Sequence, residues 1–233
     1  MIFKQHYSSS KGNLCTLESG DRRIIIECGV TWKRLQKALD YNISNVDLCL
    51  VTHEHLDHCK SWLNVEKARI PVYSSEGTRS IWGCDYDDRY VLRSLEDRHI
   101  GKWSFFAFNT HHDCLEPQGY VISDGKEMML FAIDTCMIIE KFAVPFDIIA
   151  IECSYDKDIL LKRVEYGDMD EQRANRLLQS HMEKQATLSY LQDHCNLKKC
   201  REIHLLHMSS ENLDKQKTVK EYEEALMIKV VTV

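Results

Sequence analysis

Four side chains of the kinds that bind metal ions fall within six residues of this sequence, in the run THEHLDH. They are His53, His55, Asp57 and His58. In an extended segment, positions 53, 55 and 57 share one face and position 58 turns to the other side, so that one loop can serve two adjacent metal ions. Imidazole and carboxylate together suit Zn²⁺, and also Mn²⁺ or Fe. The alternative is a polar loop that is merely rich in histidine, but the order of these residues directly after a strand favours a metal site.

The elements that must position this loop can be predicted from apolar runs and turn signals. The loop follows an apolar run at 46–51, which predicts a buried strand. Further strands are predicted at 14–18, 23–28, 71–74, 104–108, 120–122, 128–133, 146–152, 203–206 and 228–233. Predicted helices are one capped by Thr31, the charged stretch 156–193 and a last helix at 214–226. Strands come first and then mix with helices, a pattern that favours a layered α/β domain with sheets inside and helices outside.

The composition is that of a soluble globular protein. The chain has 233 residues, which suits one domain with at most a modest insertion, and 44% of them are hydrophobic and 28% charged. The formal net charge of −6 makes the chain a poor default binder of nucleic acid, because phosphate contacts dominate that affinity. A local basic patch or bound cations would offset the net charge.

The ten cysteines are scattered singly, without a Cys-x-x-Cys pair. Several stand in apolar runs, as Cys28 and Cys49 do, which indicates reduced, mostly buried thiols rather than a disulfide framework or a zinc finger. The first residues lack the apolar core of a secretory signal, and no stretch is long and apolar enough to span a membrane. These features predict a cytoplasmic protein.

The run THEHLDH resembles the HxHxDH signature of the metallo-β-lactamase superfamily. That family has another histidine after a strand, an aspartate after a later strand and a final histidine near the C-terminus. The sequence offers a match to each in the same order, namely His112 in NTHHD, Asp134 in FAIDT and His207 in LLHMS. The resemblance implies an α/β fold, the four-layer αββα sandwich, as a single domain over 1–233 with a small insertion near 80–102.

The resemblance also implies a role for each ligand. Asp134 would bridge two divalent ions, and the remaining ligands would be His53, His55 and His112 for the first ion and Asp57, His58 and His207 for the second. Zinc is the preferred ion, with manganese as the alternative. A bridging water would be a hydroxide near neutral pH, because bound zinc lowers its pKa to about 7, and it would act as the nucleophile. The two cations would stabilise negative charge on the attacked centre.

Two of these assignments have a neighbouring competitor. His111 competes with His112, which is preferred because the His-Asp pair with the following Glu-Pro resembles one branch of the superfamily. His204 competes with His207. Position 204 lies inside a predicted strand, where a core histidine is expected, whereas position 207 lies at its end.

That branch is the YycJ/WalJ group, which the sequence resembles over nearly its whole length. The matching segments are 8–15, 71–78, 112–113, 152–156 and 207–212. The group is associated with phosphodiester cleavage, and its bacterial members resemble exonucleases that act on DNA. Three departures leave the substrate open: Glu27 where the superfamily has Asp, Tyr155 where the group has His, and a less glycine-rich turn at Lys11-Gly12.

His181, in the segment QSHMEKQ, matches a segment of the group that begins His-Leu-Ser-Asn. A histidine there would bind substrate phosphate or protonate a leaving oxygen. His181 is therefore a predicted catalytic residue, and the metal ligand Asp57 is the other. The alternative for His181 is a histidine at a helix N-terminus that packs against the rim of the site.

The segment 80–102 is the only extra stretch between the motifs, and it is too short for the large insertion of β-CASP nucleases. It carries Trp82, Tyr86 and Tyr90 among several Asp and Arg residues. Two interpretations stay open, a lid or homodimer contact and a surface pair of helices with aromatic packing.

The sequence thus predicts a metal-dependent hydrolase, and the first hypothesis is a phosphodiesterase that cleaves a DNA or RNA end. The second is a phosphodiesterase that opens small cyclic nucleotides, as the viral anti-Pycsar hydrolases of the superfamily do. The compact size and acidic charge favour the second, and the YycJ-like motifs favour the first. A thioesterase or lactamase-type hydrolase ranks lower, because nothing near the metal motifs resembles glyoxalase II closely. A metal-bearing binding protein without activity is disfavoured by the complete ligand set.

Overall fold

The computed structural model describes residues 1–83 and 87–233, whose strands form two large sheets and one small pair. In chain order the strands are β1 (Ile2–Tyr7), β2 (Leu14–Ser19), β3 (Arg22–Ile26), β4 (Val46–Leu50), β5 (Val72–Tyr73), β6 (Asp97–Ile100), β7 (Trp103–Asn109), β8 (Gln118–Ser123), β9 (Met128–Ala132), β10 (Phe142–Pro145), β11 (Ile148–Glu152), β12 (Cys195–Asn196), β13 (Glu202–Leu206) and β14 (Lys229–Val231). The first sheet has the order β1-β2-β3-β4-β5, and the second has the order β14-β13-β11-β9-β8-β7-β6. The small pair joins β10 to β12.

The helices cover the outer faces of the two large sheets. In chain order they are α1 (Trp32–Ala38), α2 (Leu56–Cys59), α3 (Trp62–Lys67), α4 (Glu76–Ile81), α5 (Lys157–Glu165), α6 (Glu171–Ser180), α7 (Lys184–His194) and α8 (Lys215–Leu226). Asp156, Asp170 and Asp214 begin α5, α6 and α8, and each carboxylate accepts hydrogen bonds from first-turn N–H groups. These caps supply partners that the first turn of a helix otherwise lacks.

Alternation along the strands gives each large sheet an inner and an outer apolar face. On β3, Ile24 belongs to the core between the sheets, whereas Ile25 shares an outer core with Leu35 of α1. On β11, Ile148 belongs to the inner core, and Ile149 packs in a second outer core with residues of α7 and α8. The layers are therefore helix, sheet, sheet and helix, which confirms the predicted α/β class and αββα sandwich.

Parallel pairing brings the motif residues to one edge of the sandwich. The strands β9, β11 and β13 run parallel in the second sheet, and β3, β4 and β5 run parallel in the first. His53, Asp134 and His207 lie just after the carboxyl ends of β4, β9 and β13, and Glu152 ends β11. Side chains that are far apart in the sequence thus meet where the strands end, the usual position of a site in open α/β sheets.

Most predicted elements are confirmed, including the hairpin of β2 with β3 and that of β8 with β9. The charged stretch 156–193 is helical, in three separate helices. Strands β1, β6, β10 and β12 were missed. Of these, β1 and β6 lie at sheet edges, where the only buried side chain in β1 is Phe3 and β6 has none, so neither shows an apolar run.

The segment 80–102 contains the end of α4, a 3₁₀ turn at Asp88–Tyr90 and β6. Its interpretation as a surface pair of helices is therefore wrong for the described part, and β6 instead extends the second sheet. Trp82 stacks on Trp62 with ring centroids 4.6 Å apart. Tyr86 lies outside the described residues. A lid or homodimer contact in this segment stays a prediction.

The cysteines of the described ranges are free thiols, as predicted. Cys28, Cys49 and Cys153 are buried, and Cys136 is half-buried. In residues 1–83 and 87–233, every helix is too short or too polar to cross a bilayer.

Gly29 braces the loop that follows β4. Its N–H donates to the carbonyl oxygen of Asn13 at 3.0 Å, and the neighbouring Cys28 N–H donates to the carbonyl oxygen of His58 at 2.7 Å. A Cβ added at Gly29 would clash with the carbonyl group of Asp57. The close approach of these two backbones requires glycine at this position.

We expect Gly29→Ala to lower the free energy of unfolding by about 3 kcal/mol, the upper end of over-packing costs, because a backbone segment must move to make room. Urea unfolding followed by circular dichroism measures the loss. The matched control is Gly20→Ala in the β2–β3 turn, where a Cβ meets open space. That variant should lose only the cost of left-handed backbone, about 1 kcal/mol. Equal losses for the two variants would contradict the packing explanation.

Candidate metal centre

The loop after β4 is held by a buried carboxylate from the neighbouring strand. Glu27 follows β3, and its Oε1 accepts a hydrogen bond from the Thr52 N–H at 3.3 Å. Its Oε2 lies 3.4 Å from Nδ1 of His58. Glu27, which stands where the superfamily has Asp, thus bonds to this loop. The loop then enters α2, whose first turn carries Asp57 and His58.

Three imidazoles form the first cluster. The ligand nitrogens of His53, His55 and His112 lie within 4.8 Å of one another. The Nε2 of His112 is 3.2 Å from Nδ1 of His55, and its Nδ1 donates to the carbonyl oxygen of Ser180 at 2.9 Å. The Thr52 hydroxyl lies 2.9 Å from Nδ1 of His53. In His53 and His112, the outer nitrogen is therefore engaged and the inner one is directed to the cluster, an arrangement typical of metal-ligating histidines.

Asp134 forms a second cluster with His53 and His58. Its Oδ2 lies 3.1 Å from Nε2 of His58. The same oxygen is 3.7 Å from Nε2 of His112, and Oδ1 is 3.9 Å from Nε2 of His207. One carboxylate thus faces histidines on both sides, the position that a bridging ligand would require.

Glu152 organises a third cluster with Asp134, His181 and His207. It is fully buried, and its Oε2 accepts from the Thr135 N–H at 2.6 Å. Its Oε1 accepts from Nδ1 of His181 at 2.6 Å and lies 3.5 Å from Nδ1 of His207. The two imidazole rings stack with centroids 4.9 Å apart. Glu152 therefore fixes the ring of His181 and lies beside the ring of His207.

Sequence reasoning did not single out Glu152 as a site residue. The available signal was an acidic residue at the end of an apolar run that was itself predicted as a strand. Asn13 was also missed. Its side-chain amide nitrogen lies 3.0 Å from Nε2 of His58. Ser8 was missed as well, and its hydroxyl accepts a hydrogen bond from the backbone N–H of His207 at 2.8 Å.

Three residues of the centre have left-handed backbone conformations. The φ angles are 66° at Glu27, 46° at Asp134 and 53° at His207. Such angles are strained for residues other than glycine, and they recur at functional sites where the surrounding structure imposes them. Each occurs just after a strand, at the point where the chain turns toward the centre.

Asp57 lies at the edge of the group. Its carboxylate oxygen is 3.6 Å from Nε2 of His58, and a quarter of its side chain is exposed. The three clusters also differ from the two predicted sets of metal ligands, because His53 and Asp134 each belong to two clusters. All seven predicted ligands lie near one another, but the division into two metal sets stays a prediction.

The competing histidines lie elsewhere. His111 has a structural place, with its N–H donating to the Thr135 hydroxyl at 3.0 Å and its carbonyl oxygen accepting from Cys136. His204 points from β13 into the core, where its ring packs edge-on against Phe3 at 4.8 Å. Within the described residues, neither belongs to a metal-type cluster.

Buried carboxylates dominate the electrostatics of the centre. Burial lowers the pKa of His53 well below its ordinary value, and burial also lowers the pKa of His112. Burial opposes protonation of His58 too, but the carboxylates of Asp134 and Glu27 outweigh it and hold its pKa well above the ordinary value. The pKa of Asp134 is well below its usual range, because the neighbouring imidazoles outweigh the effect of burial. The carboxylates beside His58 therefore favour positive charge at that ring.

Several polar atoms at the centre have no hydrogen-bond partner in the described ranges. They include Nε2 of His53, Oδ1 of Asp134 and Nε2 of His207, all of them buried. Buried polar groups nearly always have partners, because leaving them unpaired costs about 1–3 kcal/mol each. Nitrogen and oxygen donors of this kind, unpaired and adjacent, fit a bound metal ion. The His/Asp clusters are thus able to bind metal ions.

The centre opens into a cavity of about 650 Å³. His55, Asp57, His181 and His207 line it, which connects the clusters to solvent. A space of this size is within the range of sites that hold small organic ligands.

Comparisons with known proteins agree with this geometry. Residues 12–181 match the metallo-beta-lactamase superfamily. The exodeoxyribonuclease YycJ of Bacillus anthracis is 25% identical over 143 residues, which cover 58% of this chain and 54% of that protein. The exodeoxyribonuclease WalJ of Streptococcus pneumoniae is 24% identical over 168 residues, which cover 66% of this chain and 62% of that protein. The matches thus span little more than half the length of these relatives.

Among solved structures, the metallo-beta-lactamase fold protein YhfI of Bacillus subtilis superposes with a TM-score of 0.72 at 15% identity. The superposition covers 99% of this chain and 95% of that protein. The likeness concerns the fold. Because the family match includes most of the chain and the HxHxDH loop, this protein belongs to the metallo-β-lactamase superfamily.

Proposed function

We propose that this protein is a phosphodiesterase that cleaves nucleic acid from an end and uses two divalent metal ions. The observation that carries the proposal is the set of unpaired buried atoms on His53, Asp134 and His207, which lie in one group beside an open cavity. Bound zinc or manganese ions would supply an activated water at neutral pH and would stabilise negative charge on the phosphoryl group.

The proposed ligands divide between the two ions, with Asp134 shared. They are His53, His55 and His112 for one ion and Asp57, His58 and His207 for the other. Glu27 and Glu152 would orient these ligands through His58 and His207, because each carboxylate faces the Nδ1 atom of its imidazole.

His181 is the proposed residue that contacts the substrate beside the metals. Glu152 accepts from its Nδ1 at 2.6 Å and fixes the ring, while the stacked ring of His207 limits its rotation. Its Nε2 is then the nitrogen available to a ligand in the cavity that His181 lines. A ring held in this way would bind a phosphate oxygen or protonate the leaving oxygen.

The rim of the cavity offers positive charge in an otherwise acidic chain. Lys11 and Arg173 line the cavity. Phosphate contacts of this kind supply most of the affinity for nucleic acid. The exodeoxyribonuclease names of the curated relatives support the same substrate class.

The first experiment measures hydrolysis by the metal-loaded protein. Zinc- or manganese-loaded protein is incubated with linear 5′-phosphorylated DNA and, in parallel, with cyclic mononucleotides. We expect release of nucleotides from DNA, loss of activity on chelation and recovery when metal is added back. Ring opening of cyclic nucleotides alone would contradict the nucleic-acid substrate. Hydrolysis of neither would contradict the phosphodiesterase.

Asp57→Ala should reduce DNA hydrolysis by about 100-fold or more, because the variant lacks a proposed ligand of the second ion. The fold should persist, since the side chain of Asp57 on the short helix α2 is partly exposed. Turnover under saturating metal and circular dichroism measure the two effects. His99→Ala on the exposed strand β6 is the matched control and should retain activity. Unchanged turnover in Asp57→Ala would remove Asp57 from the ligand set.

His181→Ala should lower kcat about 100-fold while the protein keeps its metal ions, because general acid–base groups contribute on this scale. Single-turnover kinetics measure the rate, and elemental analysis measures the metal content per chain. Loss of metal in this variant would show that His181 is a ligand and not a group that acts on the substrate.

A further inference from the structure

A second cavity of about 720 Å³ adjoins the metal cavity. Three residues line both, namely His112, Arg176 and Ser180. His112 is fixed at this boundary, because its Nδ1 donates to the carbonyl oxygen of Ser180 at 2.9 Å. A ligand that extends from the metal cavity past His112 would enter the second cavity.

Helix α6 lines the second cavity with a row of side-chain amides. Gln172, Asn175 and Gln179 are exposed and lie on one face of the helix, at spacings of three and four residues. Each amide offers two N–H donors and one oxygen acceptor. Such groups recognise the edges of nucleobases, as in the pairing of Asn or Gln with adenine.

The loop after β7 adds polar atoms that have no hydrogen-bond partner among the described residues. Thr110 is 6% exposed, and its hydroxyl oxygen is without a hydrogen bond among those residues. The same holds for Nδ1 of His111. Both residues line the second cavity. Because buried polar groups are rarely left unpaired, these atoms indicate a ligand with its own donors and acceptors.

The second cavity is nearly neutral, in contrast to the metal cavity. Its charged lining residues are Asp113 and Arg176, which pair with each other at 2.9 Å. Pro117 and Cys136 provide apolar surface. A neutral cavity with amides and apolar surface suits a flat heterocycle, whereas the metal centre suits a phosphate.

We propose that the second cavity binds the unpaired base of the nucleotide whose phosphodiester lies at the metal centre. The proposal rests on the proposed function and makes its substrate more specific. A base in this cavity has left its stack and its Watson–Crick partner, so the preferred substrate is a single-stranded end.

Two diesters with the same leaving group test the proposal. Thymidine 5′-(p-nitrophenyl phosphate) carries a base, and methyl p-nitrophenyl phosphate carries none. We expect the metal-loaded protein to have a kcat/KM at least about tenfold higher for the thymidine diester, the discrimination that a few hydrogen bonds provide. Release of p-nitrophenolate measures both reactions.

The double variant Asn175→Leu/Gln179→Leu should bring this ratio close to one. Leucine is a strong helix former, so the exposed face of α6 should tolerate it. Asn175→Ala alone should lower the ratio in the same direction and replaces the double variant if that protein fails to fold. The matched control is Gln216→Leu, an exposed amide on α8, which should keep the full ratio.

The outcomes separate the two proposals. Hydrolysis of both diesters with a ratio near one in the unmodified protein would overturn the base site and leave the phosphodiesterase standing. A high ratio that the α6 variants do not change would also overturn the base site. Hydrolysis of neither diester would overturn the phosphodiesterase and, with it, the base site.

Discussion

Burial of three carboxylates at the ends of strands is the constraint on which the site depends. Glu27, Asp134 and Glu152 are buried almost completely, and an unpaired charge in such a position is costly. Each is offset by imidazoles, and the unpaired atoms that remain fit bound cations. Removing one partner of a buried ion pair commonly costs about 3–5 kcal/mol, so the imidazoles and carboxylates stabilise the fold only as a group. Residues that serve the proposed chemistry are therefore also residues on which stability depends.

The sheet architecture explains why this group can form at all. Parallel strands from both sheets end at the same edge, and left-handed turns at Glu27, Asp134 and His207 direct the chain into the space between those ends. The apolar strands supply the stability that offsets strained backbone and buried charge. The apolar core between the sheets thus supports, at the edge of the sandwich, a polar centre that could not exist in a loop by itself.

The sequence predicted the metal ligands better than the residues and strands around them. Apolar runs predicted the strands that end at the site, and the spacing in THEHLDH predicted the loop, because both are local patterns. Glu152 was missed because an acidic residue at a strand end has no local mark of its partner, and His181 lies 29 positions away from it. Edge strands β1 and β6 were missed because few of their side chains are buried. The second cavity joins α6 to the loop after β7, a contact between distant segments that periodicity alone does not indicate.

The net charge of the chain and the lining of its two cavities favour different substrates, because they describe different parts of the molecule. The formal charge of −6 is spread over the whole surface, whereas affinity for a phosphodiester depends on the few groups that line the site. A nucleotide has a charged phosphate and a neutral base, and the two cavities differ in the same way. His112 lies in the first metal-type cluster and also lines both cavities. A ligand that displaces this ring in one cavity would therefore change the geometry of the other, and under the proposed function binding of the base and positioning of the phosphate would be coupled.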